Sequence, residues 1–314
     1  MKTVFFGTPD FAVESLDAIV RSSHEVAAVV TVPDRQAGRG QKVVCSAVKD
    51  YALEHQLPLL QPERLRDPQF LEALSALDAD CFVVVAFRML PEVVWGMPRL
   101  GTFNLHASLL PRFRGAAPIN RAIMAGEQET GVTTFLLNHH IDEGNILLQA
   151  RTPIAADETA GSLHDRLAAM GRTLVVQTLD GLATGTIVPR PQEGEPCPAP
   201  KIFKDDCMVD FNHTAAEVDR FVRGLAPYPA AVTTLVNPKG QPVTFKLLRC
   251  APLVEAHNYA PGTLVCDGKR SLKFATTNGF VAVFELQMAG KKKNSTEDFL
   301  RGNTLSGWNS ALLS

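Results

Sequence analysis

The sequence predicts an α/β protein: a Rossmann-like, mostly parallel sheet followed by a small β-barrel of the oligonucleotide-binding (OB-like) kind. Three observations lead there. Over roughly the first two hundred residues, short continuous apolar runs alternate with amphipathic stretches, as when crossover helices bury strands on both faces. A segment dense in Pro, Gly and charge, TGTIVPRPQEGEPCPAPKIFKDD from Thr184 to Asp206, then breaks the alternation. Beyond it, five strand-like runs follow at short spacing with turn residues between them, the signature of a small antiparallel barrel.

Taken in order, KTVFF reads as a first buried strand, Asp10 to Arg21 as a helix, EVAAVVTV as a second strand, the stretch from about Ala47 as another helix, and CFVVVAF as a further strand. MKTVFFGTPD has too few apolar residues before Gly7 and Pro9 for a secretory leader. The longest apolar run, around Cys81 to Phe87, is far short of the roughly 20 residues of a membrane span. Gly7 and Thr8 follow the first strand where such sheets bind ligands, but the turn is not G-x-G-x-x-G, so a dinucleotide enzyme loses its main support. The expected division is a first domain over 1–189, a linker over 190–206 and a barrel domain over 207–314. In the last of these, one helix near Ala215 to Gly224 precedes AAVTTLV, PVTFKLL, GTLVCDG, SLKFATT and GFVAVFELQ.

Composition narrows the function. Six cysteines at 45, 81, 197, 207, 250 and 266 show no C-x-x-C spacing, which argues against a zinc site or disulfide framework and for a reducing cytoplasm. Before Cys207, 19 Lys and Arg stand against 25 Asp and Glu; after it, 12 stand against 8. The basic C-terminal third is compatible with an anionic partner and equally with an ordinary solvated surface.

The chemistry-bearing stretch is TFNLHASLLPRFRGAAPINRAI, from Thr102 to Ile123. If GTFNLH is a strand, Asn104 and His106 share a face near its carboxyl end. A carboxamide can donate to a developing oxyanion, and an imidazole can give or take a proton near neutral pH. The alternative is a buried Asn and His tied into local backbone bonds. Asp142, in the I-D-E-G turn of TTFLLNHHIDEGNILLQ, can bring a carboxylate to the same edge. The three together could deprotonate an amine and stabilise a tetrahedral intermediate with no Ser or Cys nucleophile. His139 and His140 beside Asp142 raise a metal reading, but adjacent strand residues point to opposite faces, and no metal is expected. A second loop, TVPDRQAGRGQKVV, sets Arg35, Arg39 and Lys42 among glycines; it could close over a polyanion or be a basic surface loop with no partner.

Taken together these motifs resemble the formyl-tetrahydrofolate-dependent formyltransferases. GTPDFA at Gly7, TVPDRQAGRGQK at Thr31, NLHASLLPRFRGAAPINRAI at Asn104, IDEGNIL at Ile141, APKI at Ala199, and GTLV with LQMAGKKK near the C-terminus follow that family's order almost end to end. The resemblance implies that residues 1–189 bind the formyl-folate and catalyse. The donor would be 10-formyltetrahydrofolate and the acceptor the free amine of methionyl-initiator tRNA, as needed for translation initiation. By motif position, Asn104, His106 and Asp142 would be catalytic and Ser108, Leu109, Leu110 and Pro111 would line the folate site. Arg35, Arg39 and Lys42, with Lys291, Lys292 and Lys293 of the barrel domain, would touch the tRNA. The family's A-Y-G-x-x-L-P segment, which walls the folate pocket, is here Ala86-Phe87-Arg88-Met89-Leu90-Pro91, one residue shorter and with Arg for Gly. The nearest rivals are formyl transfer to an amino sugar or glycinamide ribonucleotide, which share the N-L-H and Asp elements, and a non-catalytic RNA-binding protein. The expected enzyme is a cytoplasmic monomer with no metal and no membrane association.

Overall fold

The computed structural model describes residues 1–37 and 42–310. The chain divides into two compact units, one made of Met1–Pro118, Glu129–Pro153 and His164–Ala199, the other of Ile119–Gln128, Ile154–Leu163 and the chain from Pro200 on.

In the first unit, β1 (Lys2–Gly7) leads into α1 (Asp10–Val20) and β2 (Glu25–Val30). A short hairpin, β3 (Arg35–Ala37) and β4 (Lys42–Val44), precedes α2 (Ala47–Glu54), β5 (Leu59–Leu60), α3 (Pro68–Ala76) and β6 (Cys81–Val85). Helix starts are chemically marked. Ser46 accepts from the Lys49 amide at the head of α2, and Asp67 accepts from the Gln69 and Phe70 amides ahead of Pro68 in α3. After α4 (Glu92–Trp95) come β7 (Thr102–His106), α5 (Pro118–Ala125), which from Ile119 on is assigned to the other unit, β8 (Glu129–Leu136), β9 (Ile146–Pro153) and the 25-residue α6 (Ala160–Thr184), whose residues up to Leu163 are also assigned there. The sheet order is β5-β2-β1-β6-β7-β8-β9. Strands β1 and β6 lie inside it, and Val4, Phe5, Phe6 and all of Cys81–Val85 are buried, which explains their continuous apolar runs.

Strands β5, β2, β1, β6 and β7 pair in parallel, while β8 alone runs the other way, antiparallel to both β7 and β9. Register aligns Gly7 with Val85 and Val85 with Leu105, so the carboxyl ends of β1, β6 and β7 form one edge. The β8–β9 connection carries Asp142 (φ 56°).

The second unit holds α7 (Ala215–Leu225), opened by a reciprocal Thr214–Glu217 capping box, with Val218, Val222 and Leu225 buried at helical spacing. There follow β10 (Ala231–Val236), β11 (Pro242–Leu253), β12 (Leu264–Cys266), β13 (Leu272–Ala275), β14 (Phe280–Met288), β15 (Asn294–Ser295), α8 (Thr296–Gly302) and β16 (Asn309–Ser310). The five expected strands are β10 to β14; β15 and β16, two residues each, are too short to carry a pattern. They form a curled antiparallel, barrel-like sheet in the order β12-β13-β14-β11-β10-β16. Register slips between Leu247 and Cys250 bend the long β11. Phe211 stacks on Phe274 (centroids 4.8 Å apart) in the core of the unit.

The Pro-rich segment is not a free spacer. Arg190 exchanges both backbone hydrogen bonds with Ile146 of β9 (2.8 and 3.0 Å). Farther on, the Arg114 amide donates to Cys197 O (2.9 Å) and the Ala199 amide to Arg114 O (2.6 Å), so the chain is laid along the first unit as far as Ala199.

Candidate active site

Strand β7 delivers Asn104 and His106 to one face at the carboxyl edge of the sheet. His106 is 6% exposed, and its Nε2 lies 2.8 Å from the Phe113 carbonyl oxygen. A carbonyl can only accept, so Nε2 carries a proton and donates it there. That leaves Nδ1 for chemistry, and Nδ1 faces Asp142 Oδ2 at 3.8 Å. At that separation the two groups are not hydrogen-bonded to each other directly.

The Asp142 carboxylate is held independently of the histidine. Its Oδ2 accepts from the Gly115 amide at 2.8 Å. Only glycine fits at 115: φ is +123°, and an added Cβ would lie 2.6 Å from Ala199 O. Behind Asp142, Gln192 Nε2 donates to the carbonyls of Asp142 (2.8 Å) and Gly144 (2.9 Å). Arg114 donates through Nε and Nη2 to Gln192 Oε1 (3.1 and 2.7 Å) and through Nη1 to Glu143 Oε1 (2.9 Å). In contrast, no hydrogen bond to a described residue engages the half-buried Asn104 carboxamide, which keeps both donors for a ligand.

Ser108 to Pro111 leave the end of β7 in a braced turn. The Ser108 hydroxyl donates to Arg112 O (2.6 Å), Thr133 Oγ1 donates to Ser108 O (2.7 Å), and Gln149 Nε2 donates to Leu110 O (3.0 Å). Ser108, Leu110 and Pro111 are buried and Leu109 half-buried, so the Ser108 side chain stiffens the loop. The Arg88 guanidinium donates to Pro62 O and Glu63 O (2.9 Å to the latter). Burial, and then the charge of Arg35, hold its guanidinium below its ordinary value. Met89 and Ile141 in loops and Val93 in α4 are exposed apolar side chains.

The remaining sequence candidates are dispersed. His139 meets Glu92 (3.6 Å) and packs edge-on against Trp95, and His140 is exposed. Among the described residues no three His, Cys, Asp or Glu side chains gather as metal ligands, and all six cysteines are free. Burial pushes the Cys81 thiol up to about 12, unsuited to a nucleophile at neutral pH. Arg35 is exposed on β3, Arg39 lies outside the described residues, and Lys42 is described by its backbone in β4 alone. Lys291, Lys292 and Lys293 are exposed after β14, with Lys293 paired to Glu285 at 2.9 Å. Sequence reasoning missed Gln192 and Arg114. Gln192 sits in PRPQEGE, where local pattern carries no sign of a partner 50 residues away.

Family models described as "Formyl transferase" and "Formyl transferase, C-terminal domain" match residues 1–179 and 201–304. A Bacteroides fragilis protein named methionyl-tRNA formyltransferase is 52% identical, with 96% of this chain and 95% of that one covered. One of the same name from Bacteroides thetaiotaomicron is 51% identical over 98% and 97%. The crystal structure of an N-formyltransferase from Helicobacter canadensis, with folinic acid and dTDP-3-aminofucose, shares the fold at TM-score 0.63 and 19% identity, covering 94% of this chain and 100% of that one. With one family model matching more than half of the chain, and relatives this similar across nearly all of it, the chain belongs to the formyl transferase family.

Proposed function

We propose that this chain is a methionyl-tRNA formyltransferase, moving the formyl group of 10-formyltetrahydrofolate to the free amine of methionyl-initiator tRNA, as a cytoplasmic monomer. The observation that carries the chemistry is His106, its Nε2 tied to a backbone carbonyl and its Nδ1 turned towards Asp142. The similarity to relatives named for that activity, running through both units, supports the acceptor.

The acceptor amine attacks the formyl carbon and the carbonyl electrons move to oxygen. Asn104 Nδ2–H donates to that oxyanion, joined by Nδ1–H of His106 in its doubly protonated form. The Asp142 carboxylate takes the proton of the new ammonium. The carbon–N10 bond then breaks, N10 receives that proton, and tetrahydrofolate leaves. Residues 108–111 wall the folate, with Leu109 the most accessible of them. Arg35, with Arg39 and Lys42 of the same segment, and Lys291 to Lys293 meet tRNA phosphates.

An acceptor panel with 10-formyltetrahydrofolate tests the reading: charged initiator tRNA, charged elongator tRNA, free methionine and a nucleotide-linked amino sugar. The expected result is turnover on the charged initiator tRNA, weaker turnover on the elongator and none on the sugar. Turnover on the amino sugar alone would assign this chain to a different acceptor.

A further inference from the structure

We infer that Gln192 is a positioning residue for formyl transfer, acting through Asp142. The inference rests on the proposed function, in which Asp142 is the proton-handling carboxylate.

Asp142 has φ 56°, a left-handed conformation disfavoured for a residue with a Cβ, so its surroundings must hold it there. The Gly115 amide restrains the carboxylate but not the backbone that bears it. Backbone restraint comes from Gln192, whose amide nitrogen uses its two hydrogens on two carbonyls of the same turn, Asp142 O and Gly144 O. The turn packs closely against β8 there: a Cβ on Gly144 would lie 1.6 Å from Leu136 O, so only glycine fits at 144.

The other end of the Gln192 amide is equally committed. Its Oε1 accepts both Nε and Nη2 of Arg114, which fixes which end is oxygen, since two guanidinium donors require an acceptor. Arg114 follows Phe113, whose carbonyl accepts His106 Nε2–H, and precedes Gly115, whose amide holds Asp142. One side chain therefore joins the loop that orients His106 to the turn that carries Asp142. Without it, no side-chain amide holds the carbonyls of the turn, and the 3.8 Å relation between Nδ1 and Oδ2 is left to the Gly115 hydrogen bond and the more exposed Arg114–Glu143 pair. Misplacing a reacting group by about 1 Å can cost on the order of a hundredfold in rate.

Gln192→Glu is the sharpest variant: it keeps an acceptor for Arg114 and loses both donors to the turn. Gln192→Ala removes both ends. Single-turnover transfer should fall about ten- to a hundredfold in each, with KM for the formyl donor changed less than about threefold. Asp142→Ala alone should cost about a hundredfold or more. The decisive measurement is the double variant Asp142→Ala/Gln192→Ala, which should be no slower than Asp142→Ala by more than about twofold, because a positioning residue has nothing left to position. A merely structural glutamine would instead lower the rate again in that background and lower Tm with it. A full further loss in the double variant, or wild-type turnover in Gln192→Glu, overturns the inference. Near-normal turnover by Asp142→Ala would instead sink the reading of the site, and the role of Gln192 with it.

Discussion

Asp142 and Lys292 are both charged loop residues, yet the molecule treats them differently. Asp142 is locked by a glycine amide on its carboxylate and a glutamine amide on its carbonyl, in a backbone conformation that needs such support. Lys292 and its neighbours stand exposed after β14, with one surface ion pair at Lys293. Under the proposed function the two regions would meet different demands. Proton transfer depends on angstrom-scale placement, so the fold must over-determine the group. Phosphate attraction acts through charge over a Debye length of roughly 8 Å at physiological salt, so position matters little.

The largest effect expected from this contrast is at Asn104. Its carboxamide has no hydrogen bond to a described residue, while His106 and Ser108 beside it are committed to backbone carbonyls, and this suits the oxyanion role proposed for it. Removing one such donor costs about a hundred- to a thousandfold in turnover. Asn104→Ala should show that loss in single-turnover transfer, with tetrahydrofolate binding by calorimetry retained. Turnover within a few-fold of wild type would leave the preorganised half of the comparison without its central example.

The fold was legible where burial leaves a one-dimensional trace. β1 from Val4 to Phe6 and the whole of β6 are apolar because both faces are covered, and α7 shows its stripe because Val218, Val222 and Leu225 face one core. Strand direction was less legible, since the apolar run of β8 reads the same parallel or antiparallel. At the site, Asn104 and His106 were readable as a pair because a strand repeats every two residues. Gln192 was not, because its role arises only when a Pro-rich segment is laid across a turn 50 residues earlier in the chain. Arg88 shows the converse: its motif position implies a pocket wall, whereas its guanidinium reaches carbonyls at Pro62 and Glu63.

A smaller effect should follow from the basic run. Replacing Lys291, Lys292 and Lys293 together by Ala should leave Tm and single-turnover transfer at saturating tRNA unchanged, since the side chains are exposed. Binding of charged initiator and elongator tRNA should weaken alike, and the slope of log affinity against log salt should flatten by up to about 0.9 for each phosphate no longer neutralised. A slope identical to wild type would remove the run from the tRNA interface. A fall in saturated turnover would show that this region too is positioned for chemistry, and the contrast between the two regions would fail.

The smallest effect separates commitment from place. Asp80 is bonded as fully as Asp142: Oδ2 accepts the Lys2 amide (2.8 Å), and Oδ1 accepts Arg99 through Nε and Nη2 (3.0 and 2.7 Å). It precedes β6, however, and so lies at the end of the sheet opposite the edge that carries Asn104 and His106. The Lys2 amide, with help from Arg99 and against the effect of burial, holds its carboxyl below the usual carboxylate value. A depressed carboxylate stabilises the fold at pH above its unfolded value, about 3.9, and that contribution is lost as pH falls through the lower folded value. Asp80→Asn should therefore cost about 1 kcal/mol in urea unfolding at pH 7, a figure kept small because Arg99 is largely exposed. The gap from wild type should shrink steadily as the pH is lowered below about 4, where the wild-type carboxylate itself takes up a proton. Formyl transfer at 25 °C should be unchanged, because a committed carboxylate at the wrong end of the strands holds structure and moves no proton. A stability gap that stays constant as the pH falls would mean that packing, not charge, is what the substitution removes. A loss of turnover at full folding would mean that the site depends on the far edge of its own sheet.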